Sequence, residues 1–167
     1  MAKYDIDFAG RLIDTACFVE KDGLQTQESV RVVIYLALLA CEISMKAFLE
    51  RAGFKSKELR ACSHDLSKLS DDMSFCEIEK EIGSKNPRWV SAACFRSSAI
   101  HTPDGASSTI GSLLERLSKD TSTYPNELRY GESFTHYSPQ VVLEMAQRIQ
   151  DWCVNHWSNP RRKSGFP

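Results

Sequence analysis

The side chains with the greatest chemical capacity fall at four places. Glu42 and Lys46 stand four residues apart inside an apolar stretch, His64 and Asp65 are adjacent, Arg96 precedes His101 with four residues between, and Arg129 precedes His136 with six between. An Arg and a His that converge can cleave RNA without a metal. The imidazole takes or delivers a proton at the ribose hydroxyl or the leaving oxygen, and the guanidinium stabilises the charge that builds on the phosphate. Arg129 with His136, and in reserve Arg96 with His101, are the candidates for that chemistry. Each pair has an ordinary alternative: a loop-stabilising or surface role for the first, and for the second a helix end where His101 favours the negative pole of the dipole.

On a helix, Glu42 and Lys46 form an i to i+4 pair in the favourable order, worth about 0.2–0.5 kcal/mol when solvated. Helical geometry makes a solvated face uneasy here, because Tyr35, Leu38, Met45 and Leu49 flank Glu42. Glu42 is therefore either a buried acid that needs partners such as Lys46, His64 or Arg129, or a group lining a cleft. Burial without a partner would cost on the order of several kcal/mol. Ala37, Ala40, Ser44 and Ala47 lie opposite and let another helix approach closely. Asp65 suits the positive end of a helix, and His64 is expected to pack on the central helix or bond to Glu42. Cys62 and Glu58 invite a metal reading of His64, but the spacing matches no structural zinc pattern, so no metal is expected. No Gly-rich phosphate loop, G-x-S-x-G or H-E-x-x-H is present, and no cofactor is expected.

The elements that must position these groups read as helices. Residues 4–20 carry helical apolar spacing and stop near Gly23. Residues 29–53 form the longest uninterrupted run, capped by Thr26 or Ser29 and closed by Gly53 in a left-handed conformation, with Phe54 as a lid. Residues 55–73 give a third helix with Leu59, Cys62, Leu66 and Leu69 as its stripe. Ser74 to Glu77 has capping-box spacing and restarts a helix to about residue 82, and a short helix follows over 89–100. Thr102 to Gly105 is a turn, residues 107–120 are helical, and Tyr124 to Gly131 is irregular. Ser138-Pro139 opens a last helix whose face holds Val142, Met145, Ile149, Trp152, Cys153 and His156. No alternating five-residue run asks to be a strand, so the expected class is all-α.

The 167 residues suit one domain over 1–157, followed by a flexible tail over 158–167 with nothing to build a packed face. A net charge of -1 argues against a surface that tracks nucleic acid throughout. Local basic features remain: Arg88 beside Trp89, and Arg161-Arg162-Lys163 in the tail. The six cysteines form no C-x-x-C pair and read as core residues in a reducing cytosol, and no signal peptide is read at the start. The apolar run 32–41 falls short of the roughly 20 residues a membrane span needs. A cytoplasmic protein with no membrane association is expected.

Three pieces, in order, resemble the HEPN domain family. Tyr35 to Leu49, with its Glu42 and Lys46-Ala47, is similar to the second helix of those domains. His64-Asp65-Leu66-x-x-Leu69 is similar to their His-Asp-Leu segment, and Leu128-Arg129-Tyr130 resembles their later Arg-Tyr element. The chain departs from the pattern in its long interval between His64 and Arg129 and in Gly131, which stands where a proline is common. The resemblance implies a bundle of about four core helices, with extra helices inserted between residues 74 and 120, that pairs as a homodimer. It implies binding of RNA or a nucleotide in a defence or toxin–antitoxin setting, with Glu42, Lys46, His64, Asp65 and Tyr130 as ligand-binding candidates. A nucleotidyltransferase-like or antitoxin protein is the partner it suggests. The alternatives are a metal-independent endoribonuclease using an Arg-His pair, and a non-catalytic protein-interaction module.

Overall fold

Helix α1 (Ile6–Asp22) starts where the carboxylate of Asp5 accepts the N–H groups of Asp7 and Phe8, which would otherwise lack acceptors. It stops at Gly23, whose φ of 113° is open to glycine and strained for other residues. The computed structural model that shows this describes residues 4–80, 88–101, 107–119, 125, 128 and 137–165. Helix α2 (Gln27–Arg51) is the pillar of the fold. Thr26 caps it by accepting the N–H of Ser29, and Gly53, at φ 101°, turns the chain so that Phe54 N–H reaches the Leu49 carbonyl. Phe54 is buried, as a lid should be.

Ile34, Leu38, Met45, Phe48 and Leu49 are fully buried, and α1 and the helices over Leu66–Ser74 and Pro139–Asn155 pack on α2. The α1 contact is the most extensive. Ala37, Ala40, Ser44 and Ala47 of α2 are buried, as are Ala9 and Ala16 of α1. The 25-residue α2 is long and apolar enough to cross a membrane, contrary to the short run read from sequence, but most of it is buried within the bundle. Core burial accounts for the same composition that a span would need.

The stretch expected as one helix over 55–73 is two: α3 (Ser56–Ala61) and α4 (Leu66–Ser74). Leu59, Cys62, Leu66 and Leu69 are all buried, so the apolar stripe was read correctly. The break comes from Ser63, which has φ 51°, and from Asp65, whose side chain accepts the Lys68 N–H and starts α4 afresh.

The chain is mostly helical, yet its strict all-α form is corrected by two small antiparallel sheets. Where a restarted helix was expected after Ser74, β1 (Cys76–Glu79) alternates two buried residues, Cys76 and Ile78, with two outward carboxylates. Where a helix was expected over 89–100, there are β2 (Trp89–Ser91), a 3-10 helix (Ala92–Ser97) and β3 (Ala99–His101). β3 pairs with β4 (Ser107–Thr109), which leads directly into α5 (Ile110–Lys119). Each strand is four residues or fewer, too short for alternation to show in sequence. The expected turn after Thr102 and the irregular segment around Tyr124 to Gly131 lie largely outside the described residues.

Helix α6 (Pro139–Asn155) begins with a proline whose missing N–H costs nothing in the first turn. Its Trp152 sits between Phe48 of α2 and Phe95 of the 3-10 helix, at ring separations of 5.2 and 5.4 Å. After α6 the tail does build a packed face: β5 (Arg161–Arg162) pairs with β1 and completes the sheet order β2-β1-β5. Arg161 stacks on Trp89 at 3.6 Å and bonds to Glu77, while Arg162 lies over Phe54 and bonds to Glu58 at 2.8 Å. The two basic segments noted in the sequence thus meet, and Arg161 and Arg162 are offset by carboxylates.

All six cysteines are free thiols, and burial pushes those of Cys41 and Cys153 far above the ordinary range, which makes them poor nucleophiles. His156 stacks on Trp152 at 4.5 Å, and its burial lowers its pKa from the usual 6.5. The unfolded chain therefore takes up the His156 proton more readily than the folded one. Its contribution to stability is complete above pH 6.5 and is lost as the pH falls through the lower folded value. Urea midpoints measured at about pH 5 and about pH 8 should show this acid loss in the wild type and a smaller loss in His156→Gln. An equal loss in both would remove His156 from the account.

Candidate functional site

Two of the pieces singled out in the sequence touch. The α3–α4 turn carries Ser63 and His64 onto the face of α2 that holds Glu42 and Lys46. Lys46 Nζ donates to Glu42 Oε1 at 2.7 Å and to the Ser63 carbonyl at 2.6 Å, and His64 Nδ1 lies 2.9 Å from Glu42 Oε2. With the carboxylate as acceptor, His64 presents Nδ1–H to it, which sets the ring's orientation. The left-handed conformation of Ser63 is what aims its own carbonyl at Lys46 while placing the next side chain over Glu42. Asp65 N–H bonds back to the Cys62 carbonyl and tightens the same turn.

The three groups differ sharply in access. The side chains of Glu42 and Lys46 are 7% and 6% exposed, whereas that of His64 is 44% exposed. Tyr4 adds to the seal: its ring lies 5.6 Å from Lys46 Nζ, and its N–H donates to Glu50 one turn further along α2. A carboxylate and an ammonium buried together neutralise one another, so the pair can stay ionised in a poorly solvated place. Of the three side chains, that of His64 is the one that reaches solvent. Such a ring can accept or donate a proton, or bond to a hydroxyl or a phosphoryl oxygen.

The chain matches no protein-family model, no curated protein and no solved structure.

The remaining candidates are placed as follows. Lys46 is enclosed, so it supports the site from within and does not face a ligand directly. Asp65 is exposed and caps α4. Arg96 commits its guanidinium to Asp71, to Ser70 Oγ at 3.1 Å and to Glu115 at 2.6 Å, a bridge between α4 and α5. His101 is exposed on β3, its N–H directed to Glu144, and no hydrogen bond or ion pair joins it to Arg96 among the described residues. Arg129, Tyr130 and His136 lie outside the described residues. Among the described residues, no group of three or more His, Cys, Asp or Glu side chains is placed to hold a metal ion. Ser63 and Tyr4 were not found by sequence reasoning. A serine in the left-handed region has no compositional signature, and Tyr4 precedes Asp5 as an ordinary apolar residue at a helix start.

Proposed function

We propose that this chain is a HEPN-like helical domain that binds RNA or a nucleotide in the cytoplasm, as a homodimer, and that His64 makes the contact. The observation that carries this reading is the half-exposed imidazole of His64 held at Nδ1 by the buried Glu42–Lys46 pair. An enclosed ion pair adds little net stability over apolar packing, so its use beneath one exposed ring is better explained by positioning that ring. The order of the Tyr35 to Leu49, His64-Asp65-Leu66 and Leu128 to Tyr130 segments supports the family reading. A defence or toxin–antitoxin role, with a nucleotidyltransferase-like or antitoxin partner, belongs to the same proposal.

Fluorescence anisotropy with a labelled short RNA, and calorimetry with a nucleotide, test it. The wild type is expected to bind, and His64→Ala to weaken binding by about tenfold or more, the worth of one hydrogen bond to a charged oxygen. Circular dichroism should remain that of the wild type, because the Glu42–Lys46 bond is kept. No binding by the wild type at high micromolar concentration, or an unchanged affinity in His64→Ala, would sink the proposal.

A further inference from the structure

Arg162 and Lys163 of β5 tie down three helix ends at once. The Arg162 N–H donates to the Ala52 carbonyl at the end of α2, at 3.0 Å, and the Lys163 N–H donates to the Phe75 carbonyl at the end of α4, at 2.9 Å. The Arg162 side chain reaches the third. Its Nη1 donates to Glu58 Oε1 at 2.8 Å, while Glu58 Oε2 accepts the Lys55 N–H at 2.7 Å and closes the start of α3. The guanidinium also lies 4.3 Å from the centre of the Phe54 ring, just ahead of that helix. The Lys55 N–H first, and Arg162 second, hold the Glu58 carboxyl below its ordinary range, so the acid is charged at neutral pH.

The helix fixed in this way leads into the turn that carries His64. With six residues α3 is too short to persist alone, and Leu59 is its one buried residue, so its place depends on the ties at its ends. From Glu58 the path to the site is short and bonded throughout. Cys62 Sγ donates to the Glu58 carbonyl at 3.5 Å, Ser63 N–H donates to the Arg60 carbonyl at 3.0 Å, and the Ser63 carbonyl accepts Lys46 Nζ at 2.6 Å. His64 comes next, 2.9 Å from Glu42. The strand that supplies the ties is itself held lightly. β5 has two residues, Pro160 is the one buried residue over 158–165, and Arg161 and Asn159 bond to Glu77 and Glu79 at the surface, where such bonds contribute little. A segment with so little buried apolar contact opens before the rest of the fold.

We propose that the C-terminal strand is a clasp: docked, it holds α3 and keeps His64 on Glu42, and released, it frees the α3–α4 turn and lets the ring leave its acceptor. Arg162 is then a positioning residue for His64, acting through Glu58 and the turn. The clasp governs how the ring is held, not what the ring meets, so it does not depend on RNA binding.

Nuclear magnetic resonance of the full chain, isotope-labelled at histidine and along the backbone, tests it in wild type, Arg162→Ala, Arg162→Lys and Lys163→Pro. At about pH 8 the imidazole nitrogen shifts show which nitrogen carries the proton. In the wild type the His64 proton should sit on Nδ1 and exchange slowly with water. Arg162→Ala should lose protection at the amides of β5, and His64 should move toward the tautomer mixture of a free imidazole, its Nδ1 proton exchanging about tenfold faster or more. Arg162→Lys keeps the charge without the fork and should restore most of the Nδ1 signature. Lys163→Pro deletes the bond to the Phe75 carbonyl and leaves Arg162 in place; it should move His64 the same way, and it decides the matter if Arg162→Ala folds poorly. Phe48→Leu, which weakens the core elsewhere, should leave the His64 shifts at their wild-type values. Loss of protection along β5 with His64 unchanged overturns the proposal, as does an equal change of His64 in Phe48→Leu. Wild-type His64 shifts and exchange in both Arg162→Ala and Lys163→Pro overturn it too. RNA affinity measured on the same samples is a separate readout: no binding, with the His64 response as expected, leaves the clasp standing and removes the proposed function.

Discussion

Glu42→Gln should destabilise the protein by about 3–5 kcal/mol, the cost of leaving one member of a buried ion pair without its partner. The substitution keeps the size of the side chain and removes its charge. Lys46, 6% exposed, would then hold its ammonium against a neutral amide, the Ser63 carbonyl and the face of Tyr4. Urea denaturation read by circular dichroism measures the loss. The double variant Glu42→Leu with Lys46→Met tests the cause, because replacing both charges by apolar groups should recover most of the stability. It would also leave His64 without its acceptor, so stability should return and RNA affinity should not. A loss below about 1 kcal/mol for Glu42→Gln would mean that water reaches the pair and that its burial does not set the energetics.

Phe48→Ala is expected to cost a similar amount, about 3–5 kcal/mol, by a different mechanism. Phe48 is fully buried and its ring meets Trp152 at 5.2 Å, where α2, α6 and the 3-10 helix come together. Alanine removes that contact and leaves a cavity beside the Trp152 ring, which Phe95 also contacts and helps hold in place. Phe48→Leu should lose less, since much of the volume remains. The midpoint in urea should fall with little change in slope, and a loss below about 1 kcal/mol would show that the cluster repacks around the gap.

These two residues illustrate different degrees of legibility. That Phe48 lies in the core could be read from the periodicity of α2, because a helix apolar on nearly every side must be enclosed. That Glu42 needs Lys46 and His64 could also be argued, since a carboxylate flanked by large apolar side chains has few ways to remain ionised. The caps were local and therefore visible: Thr26 for α2, Gly53 beyond it, Pro139 at the start of α6. Strands β1 to β5 were not visible. Their four, three, three, three and two residues carry no period long enough to compete with a helical reading, and Arg161 finds its place only against Glu77, 84 residues away. The ion pairs of Arg96 were hidden for the same reason, since Asp71 and Glu115 lie 25 and 19 residues off.

By itself the sequence determined a mostly helical chain, its central helix, most of its helix ends and the small set of side chains that would have to meet around Glu42. Those follow from local geometry and from the cost of burying a charge, which hold whatever the fold. Only the tertiary structure decided which of them face outward. The left-handed turn at Ser63 and the cover supplied by Tyr4 enclose Lys46 and leave His64 at the surface. Access to solvent is a property of what other segments cover, and no spacing within one segment encodes it.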